Sequence, residues 1–282
     1  MTLAERRRPK IAFGDEQIEM AHGAGGKASR RLVEGLIAPA FANPVLDTLS
    51  DAATFAVGSA RVVTTADGYV VRPLRFPGGS IGELAVNGTL NDLAVSGARA
   101  RALMATFVLE AGLASETLRA EVAAMAAAAR RAGVAIVGGD TKVVEHGWCE
   151  GMYITTFGIG EVDPRFALDP HAVRPGDRVL LSGPIGSHGI TILLARGELQ
   201  LEADVCSDTR SVWPFVDALG AACGSGVRWM RDPTRGGVAT ALNELVRETR
   251  VAIVLDEEAV PLGTHVRGAC ELLGLDPLPR IC

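Results

Sequence analysis

The sequence predicts two domains of the α/β to α+β class. The chain has 282 residues, which is enough for two domains of ordinary size. Segments with strand character alternate with helical segments in both halves, and this alternation favours layered domains of sheet and helix. A connection at residues 164–175 begins and ends with proline. We therefore expect a flexible leader at 1–17, an N-terminal domain at 18–163, a C-terminal domain at 176–278 and a flexible tail at 279–282.

The first half contains most of the predicted strands. Strands are expected at 53–57, 61–65, 101–109, 134–137 and 152–160, and helices at 29–40, 81–96 and 115–131. The third helix has the clearest boundaries: Ser115 is a candidate N-cap, Arg130 and Arg131 lie in the last turn, and Gly133 follows as a stop.

The second half has the same alternation with more glycine. Strands are expected at 178–182 and 251–255, and helices after the turn at 183–189 and at 212–223 and 238–248. The tail follows Pro277 and Pro279. Because proline disfavours helix in the residue before it, we expect this tail to be extended.

Composition excludes several classes of function. The net charge of −5 argues against nucleic acid or an anionic membrane as the main partner. We expect neither a signal peptide nor a membrane span. The five cysteines are an odd number without a CxxC pair, so a disulfide framework and a structural zinc site are disfavoured and a reducing cytoplasm is expected.

Five aspartates lie beside small or turn-forming residues at the ends of apolar segments. They are Asp51, Asp67, Asp92, Asp140 and Asp232. Such positions project carboxylates from rigid elements into a shared cleft, and Mg²⁺ binds through a few carboxylates plus substrate phosphates. Each aspartate taken alone is more often a turn or N-cap residue, and only the repeated pattern favours a magnesium site.

Two glycine-rich segments could approach an anion with backbone N–H groups. They are His22-Gly23-Ala24-Gly25-Gly26-Lys27 and Gly138-Gly139-Asp140-Thr141-Lys142. Neither matches the phosphate-binding loop GxxxxGK[ST], and neither is a dinucleotide fingerprint. A glycine-rich segment alone is often only a turn, so any nucleotide site here uses another fold.

Seven motifs carry the most specific signal in the chain. They are His22-Gly23-Ala24-Gly25-Gly26, Thr65-Ala66-Asp67-Gly68, Phe76-Pro77-Gly78-Gly79, Asn91-Asp92-Leu93-Ala94-Val95-Ser96-Gly97-Ala98, Gly139-Asp140-Thr141-Lys142-Val143-Val144, Asp232-Pro233-Thr234-Arg235-Gly236-Gly237 and Pro279-Arg280-Ile281-Cys282. Together they resemble the HypE family of hydrogenase maturation proteins, within the wider group of aminoimidazole ribonucleotide synthetase-like ATP enzymes. The terminal tetrapeptide separates HypE from the rest of that group.

The resemblance implies an ATP-dependent dehydration on the thiol of Cys282. The carbamoyltransferase HypF places a carbamoyl group on this sulfur, ATP phosphorylates the carbamoyl oxygen, and loss of phosphate leaves a thiocyanate. The cyanide then passes to iron on the HypC–HypD complex, for a nickel–iron hydrogenase. Positioning and electrostatics are expected to supply most of the catalysis, as in other phosphoryl transfers.

The resemblance also implies a fold and roles for individual residues. It implies a two-domain aminoimidazole ribonucleotide synthetase-like fold that forms a homodimer through the N-terminal sheet, with ATP between the domains. The expected catalytic residues are Cys282, Asp92, Asp140 and Lys142. The expected magnesium ligands are Asp51, Asp67, Asp92 and Asp232. The expected nucleotide contacts are Lys27, Asp67, Asn91, Gly139, Thr141 and Asp232.

The chain departs from the family pattern just before its tail. Residues 270–278 are followed directly by the tail. In the family, an Asn-Glu-Gly-Lys motif and further strands and helices lie between these two segments. The C-terminal domain is therefore expected to be truncated and to expose apolar surface. Two alternatives stay open: another ATP-dependent kinase or synthetase of the same group, which has no use for Cys282, and a non-catalytic scaffold that binds HypC–HypD or HypF.

Overall fold

A five-stranded sheet forms the centre of the first domain. The structure is a computed structural model that describes residues 11–41, 43–197, 201, 203–249 and 251–280. The strands of this sheet are β1 (Ala53–Val57), β2 (Ala60–Tyr69), β5 (Ala98–Glu110), β6 (Ala135–Val144) and β7 (Met152–Val162). The strand order is β1-β2-β7-β5-β6, and only β5 and β6 are parallel. A small hairpin of β3 (Arg75–Phe76) and β4 (Gly79–Ser80) precedes the first long helix.

Two helices cover one face of this sheet. They are α3 (Ile81–Val95) and α4 (Ser115–Ala132). The core between helices and sheet includes Ile81, Leu103, Met125 and Ile154, each at most 2% exposed. Burial alternates along β7, because successive side chains of a strand point to opposite faces. The sheet therefore has a helix-covered face and an open face.

The predicted elements of the first domain are confirmed, with changes at their ends. The helix predicted at 29–40 consists of α1 (Gly26–Leu32), a π-helical turn (Val33–Ile37) and α2 (Ala38–Ala40). Helix α4 ends at Gly133 in the left-handed conformation, as predicted. Its N-cap is Ala114 rather than Ser115, because Ser115 already belongs to the first helical turn.

The described part of the second domain is mainly helical. Its helices are α5 (Ser187–Ala195), α6 (Trp213–Ala222), α7 (Gly237–Glu248), α8 (Thr264–Leu273) and α9 (Pro277–Arg280). Short 3₁₀ helices also occur at Met20–His22, Leu46–Thr48, Pro170–Ala172, Gly224–Gly226 and Glu257–Ala259. Across the described residues, no helix has the length and apolar character needed to cross a membrane.

The strands predicted at 178–182 and 251–255 are wrong. Neither segment joins a ladder within the described residues, where a single bridge between Ile185 and Leu262 is the one β-type contact of this domain. A strand needs a hydrogen-bonding partner, and apolar β-branched sequence alone does not supply one. Both segments carry exposed apolar side chains, including Leu180 (72%) and Val254 (93%). The truncation of this domain stays a prediction.

The extended conformation predicted for the tail at 279–282 is also wrong for residues 279–280, which belong to α9 (Pro277–Arg280). The Leu278 N–H donates to Asp276 Oδ1 at 2.9 Å, which caps the start of this helix. Pro277 is tolerated because the first residue of a helix needs no N–H partner. Cys282 lies outside the described residues.

The two domains pack together through α3. A buried cluster joins Ala94 of α3 to Phe166 of the connection and Val216 of α6. Arg165 reinforces this contact, because its guanidinium bonds both Asp163 and Asp217 at 2.7 Å. The helix that covers the sheet therefore also carries the second domain.

Adjacent glycines on β6 provide a test of the sheet. A Cβ on Gly139 would overlap the backbone of Ala105, whereas a Cβ on Gly138 would make an ordinary 3.7 Å contact with Met104 Cε. We expect Gly139→Ala to lower the free energy of unfolding by about 1 to 3 kcal/mol, because the strands must separate to fit the methyl group. Urea denaturation measures this, with Gly138→Ala as control, and equal effects of the two substitutions would contradict the register.

Candidate active site between the two domains

Carboxylates from both domains meet beside the covered face of the sheet. Asp67 lies on β2 in register with Thr156 of β7, which is a buried residue of that face. Asp92 lies near the end of α3 and is 7% exposed. Asp232 precedes α7 in the second domain, and Asp51 lies two residues before β1. The structure thus brings together the four aspartates that were predicted to bind magnesium.

Hydroxyl groups orient the carboxylates of the first domain. The Thr65 hydroxyl donates to Asp92 Oδ2 at 2.8 Å and lies 3.0 Å from the backbone oxygen of Asp51. The Tyr69 hydroxyl donates to Asp67 Oδ2 at 3.1 Å and contacts Thr89 at 3.2 Å. Because Thr65, Asp67 and Tyr69 alternate along β2, all three side chains lie on the covered face.

Burial and mutual repulsion raise the pKa values of these acids. Burial raises the pKa of Asp92 to about 9, and the charges of Asp232 and Asp67 add to the increase. Burial raises the pKa of Asp51 to about 7, although the positive charge of Arg231 opposes the increase. Burial also raises the pKa of Asp232. At neutral pH these acids therefore retain protons that a bound cation would displace.

Arg231 is the cation in contact with this group. Its Nε lies 3.0 Å from Asp51 Oδ1, and its NH2 group lies 3.0 Å from Glu244 Oε2 on α7. One guanidinium thus joins a carboxylate of the first domain to a helix of the second. Arg231 immediately precedes Asp232 in the chain. The same segment therefore places a carboxylate at the site and a positive charge beside it.

The residues present fit a magnesium ion that is shared with a ligand. Within the described ranges, no three His, Cys, Asp or Glu side chains are grouped closely enough to hold a metal by themselves. Mg²⁺ seldom needs such a cage, because it keeps several waters and binds one or two carboxylates plus substrate phosphates. Oxygen donors with uncompensated charge are the type of ligand that it prefers. The Mg²⁺ ion of a magnesium–phosphate group would supply positive charge beside these carboxylates.

The N-terminal glycine-rich loop lies against the loop that carries Asp232. Gly25 has φ 81°, and a Cβ there would lie 3.0 Å from the carbonyl carbon of Arg235, so only glycine permits this approach. Lys27 follows in the first turn of α1, is exposed, and forms no ion pair within the described part of the chain. Its amine therefore stays available to an anion near this loop.

The predicted residues of β6 do not join the aspartate group within one chain. Asp140 pairs in register with Thr106 and Lys142 with Val108, which places both side chains on the open face of the sheet. The Lys142 amine lies 2.7 Å from Asp140 Oδ2, and this bond holds the pKa of Asp140 below its usual range. Asp67, by contrast, lies on the covered face.

The segment at 138–142 is also not the anion-binding loop that its glycines indicated. Gly139 and Thr141 belong to β6, which continues to Val144 and pairs with β5. Gly139 aligns across the sheet with Ala105, Thr156 and Asp67, three strand spacings or about 14 Å away. Gly139 permits close packing of β6 against β5 instead.

Asn91 has a different environment from the one predicted. Its amide bonds the backbone of Arg210 and Val212 in the second domain. Thr65 and Arg231 are site residues to which the sequence analysis gave no role. Thr65 ends the strand predicted at 61–65 and lies two residues before Asp67, and this spacing was the available signal for Thr65. The signal for Arg231 was its adjacency to Asp232.

The raised pKa values predict a pH-dependent stability. The folded state retains protons on Asp92 and Asp51 to higher pH than the unfolded chain, whose aspartates titrate near 3.8. The free energy of unfolding should therefore fall as pH rises from about 5 to about 9 without magnesium. Asp92→Asn should make this fall shallower. Denaturant titrations across this pH range measure the free energy of unfolding of the wild type and of Asp92→Asn. An equally steep fall in Asp92→Asn would contradict a raised pKa at Asp92.

Family comparisons identify the two halves of the chain as two related domains. The chain matches the AIR synthase related protein N-terminal domain over residues 49–162 and the C-terminal domain over 174–278. Carbamoyl dehydratase HypE of Azotobacter vinelandii is 51% identical over 269 residues, which cover 95% of this chain and 79% of the relative. Carbamoyl dehydratase HypE of Escherichia coli K12 is 44% identical over a region that covers 93% of this chain and 79% of that relative.

Solved structures give the same result. The fold matches a chain of a HypE–HypF complex with a TM-score of 0.83 and 41% identity, covering 89% of this chain and 81% of the other. It also matches HypE in complex with ATP, with a TM-score of 0.74 and 47% identity, covering 93% of this chain and 77% of the other. The chain therefore belongs to the AIR synthase related family and, within it, to the HypE carbamoyl dehydratases.

Proposed function

We propose that this chain uses ATP to dehydrate a carbamoyl group carried on the thiol of Cys282. The observation that carries the proposal is 51% identity, over 95% of the chain, to a relative named carbamoyl dehydratase HypE. A HypE structure in complex with ATP, at 47% identity, supports the nucleotide. The aspartates at the domain boundary provide the acidic group that a magnesium–nucleotide complex requires.

The reaction turns a thiocarbamate, S–C(=O)–NH₂, into a thiocyanate, S–C≡N. ATP transfers its terminal phosphoryl group to the carbamoyl oxygen and becomes ADP. The C–O bond then breaks as phosphate leaves with the electron pair, and the nitrogen gives up two protons as the triple bond forms. Phosphorylation is required because the oxygen of an amide is a poor leaving group by itself.

Residues of both domains would act together on the phosphates. Asp67, Asp92 and Asp232, with Asp51 beside them, would hold Mg²⁺, which neutralises phosphate charge when bound. Their rigid supports keep the oxygens in place before the ligand arrives, so little reorganisation accompanies phosphoryl transfer. Lys27 would pair with a phosphate from the neighbouring glycine-rich loop.

A homodimer would give Asp140 and Lys142 a role. The open face of the sheet carries exposed apolar side chains, namely Phe55, Val57, Met104, Phe157 and Ile159. A second copy that covers this face would bury them and bring Asp140 and Lys142 to the interface.

Sedimentation velocity tests this dimer. Phe157→Glu should convert the dimer to a monomer, and Leu272→Glu on α8, where Leu272 is exposed, is the control. A monomeric wild type would contradict the proposal.

The expected partners and compartment follow from the chemistry. HypF would load the carbamoyl group, as the HypE–HypF complex of a relative supports, and HypC–HypD would accept the cyanide for a nickel–iron hydrogenase. Cys149, Cys206, Cys223 and Cys270 are all free thiols, which supports a reducing cytoplasm. Recovery of the chain from an oxidising compartment would contradict this location.

The terminal thiol provides the direct test. Incubation of the chain with HypF, carbamoyl phosphate and ATP should add a carbamoyl group to the peptide containing Cys282, and this adduct should then lose one water. Intact-mass spectrometry of that peptide follows both steps. Cys282→Ala should abolish the adduct, because no other cysteine occupies the tail.

Cys223→Ala is the matched control, since Cys223 is an exposed thiol outside the tail, at the end of α6. It should leave both steps unchanged. An adduct that persists in Cys282→Ala would contradict the assigned sulfur. A carbamoyl adduct that stays hydrated in the presence of ATP would contradict the dehydratase activity and favour a scaffold.

A further inference from the structure

A segment of the second domain runs along α3 of the first. We name residues 206–212 the strap. The Ser207 N–H donates to the Pro77 oxygen at 2.9 Å, just before α3 begins. Farther along, Asn87 Nδ2 donates to Thr209 Oγ1 at 3.3 Å. The third attachment, at Asn91, lies one helical turn beyond Asn87, so the strap is fastened to one side of the helix.

The side chain of Asn91 bonds the backbone of the strap. Its Nδ2 donates to the Arg210 oxygen at 3.0 Å, and its Oδ1 accepts from the Val212 N–H at 2.8 Å. These two bonds engage a C=O and an N–H two residues apart, as a neighbouring strand would. Both polar atoms of the amide are therefore committed to the second domain, and a structural role explains the residue without a ligand.

The strap is also fixed within the second domain. The Arg210 guanidinium donates to the Ser182 oxygen at 3.0 Å and lies 4.9 Å from the centre of the Phe215 ring. Ser207 Oγ lies 2.9 Å from His188 Nδ1 at the start of α5. A displacement at Asn91 would thus reach the turn before α5 and the beginning of α6.

Asn91 immediately precedes Asp92, whose carboxylate faces Asp232 of the second domain. We propose that Asn91 is a positioning residue that sets the placement of the second domain on α3, so that Asp232 meets Asp67 and Asp92. The proposal rests on the proposed function for its kinetic consequence. It assigns Asn91 to the domain contact in place of the nucleotide contact that the family resemblance implied.

Two substitutions test the contact from opposite sides. Asn91→Ala removes the amide side chain. Val212→Pro removes the backbone N–H that donates a hydrogen bond to Asn91 Oδ1. Val212 has φ −89°, which is near the range that proline adopts. Hydrogen exchange at the Val212 amide should accelerate about tenfold in Asn91→Ala, because one hydrogen bond is lost. In dehydratase assays, each variant should lower kcat about tenfold and change the KM for ATP less than about threefold.

The double variant should be no worse than the poorer single variant, because both remove the same interaction. Asn243→Ala is the matched control, since Asn243 is exposed and its Nδ2 donates to the Ala239 oxygen within α7 at 2.8 Å. Unchanged exchange at Val212 in Asn91→Ala would overturn the proposal. A raised KM for ATP in Asn91→Ala, with Val212→Pro unaffected, would also overturn it by making Asn91 a ligand contact. An inactive wild type would refute the proposed function, and exchange at Val212 would still decide the contact.

Discussion

The burial of like charges from two domains against one another is the constraint on which this structure depends. Asp67 and Asp92 come from the first domain and Asp232 from the second. Burial raises the pKa of Asp92 and of Asp232, and the charge of Asp67 adds to both increases. Thr65 and Arg231 offset only part of this cost. A group of acids that destabilises the folded chain at neutral pH is explained by a site that receives a cation, which is the role of the Mg²⁺ ion bound with a nucleotide.

Helix α3 connects that constraint to the rest of the molecule. Its buried side chains, such as Ala85 and Leu93, pack on the sheet and fix the helix axis. Its far end carries Asp92, and another side presents Asn87 and Asn91 to the strap. A single helix thus sets both the position of a carboxylate and the position of the domain that brings its partner. Substitutions along α3 should therefore affect stability and catalysis together.

The sequence predicted the parts of the structure that depend on local pattern. Strand alternation identified the sheet, and aspartates beside turn residues identified the carboxylate group. It failed where a partner decides the outcome: segments 178–182 and 251–255 have strand composition but no ladder within the described residues. It also could not place Asp140 and Lys142, because the face of a strand residue depends on register with β5.

Proton release on magnesium binding tests the central claim most directly. Mg²⁺ would be titrated at pH 8 into the wild type and Asp92→Asn, each saturated with a non-hydrolysable ATP analogue, in buffers of different ionisation enthalpy. Because Asp92 has a pKa of about 9, the wild type should release more protons than the variant as the metal displaces them. Equal proton release from the two chains would contradict a buried, protonated carboxylate at the metal site.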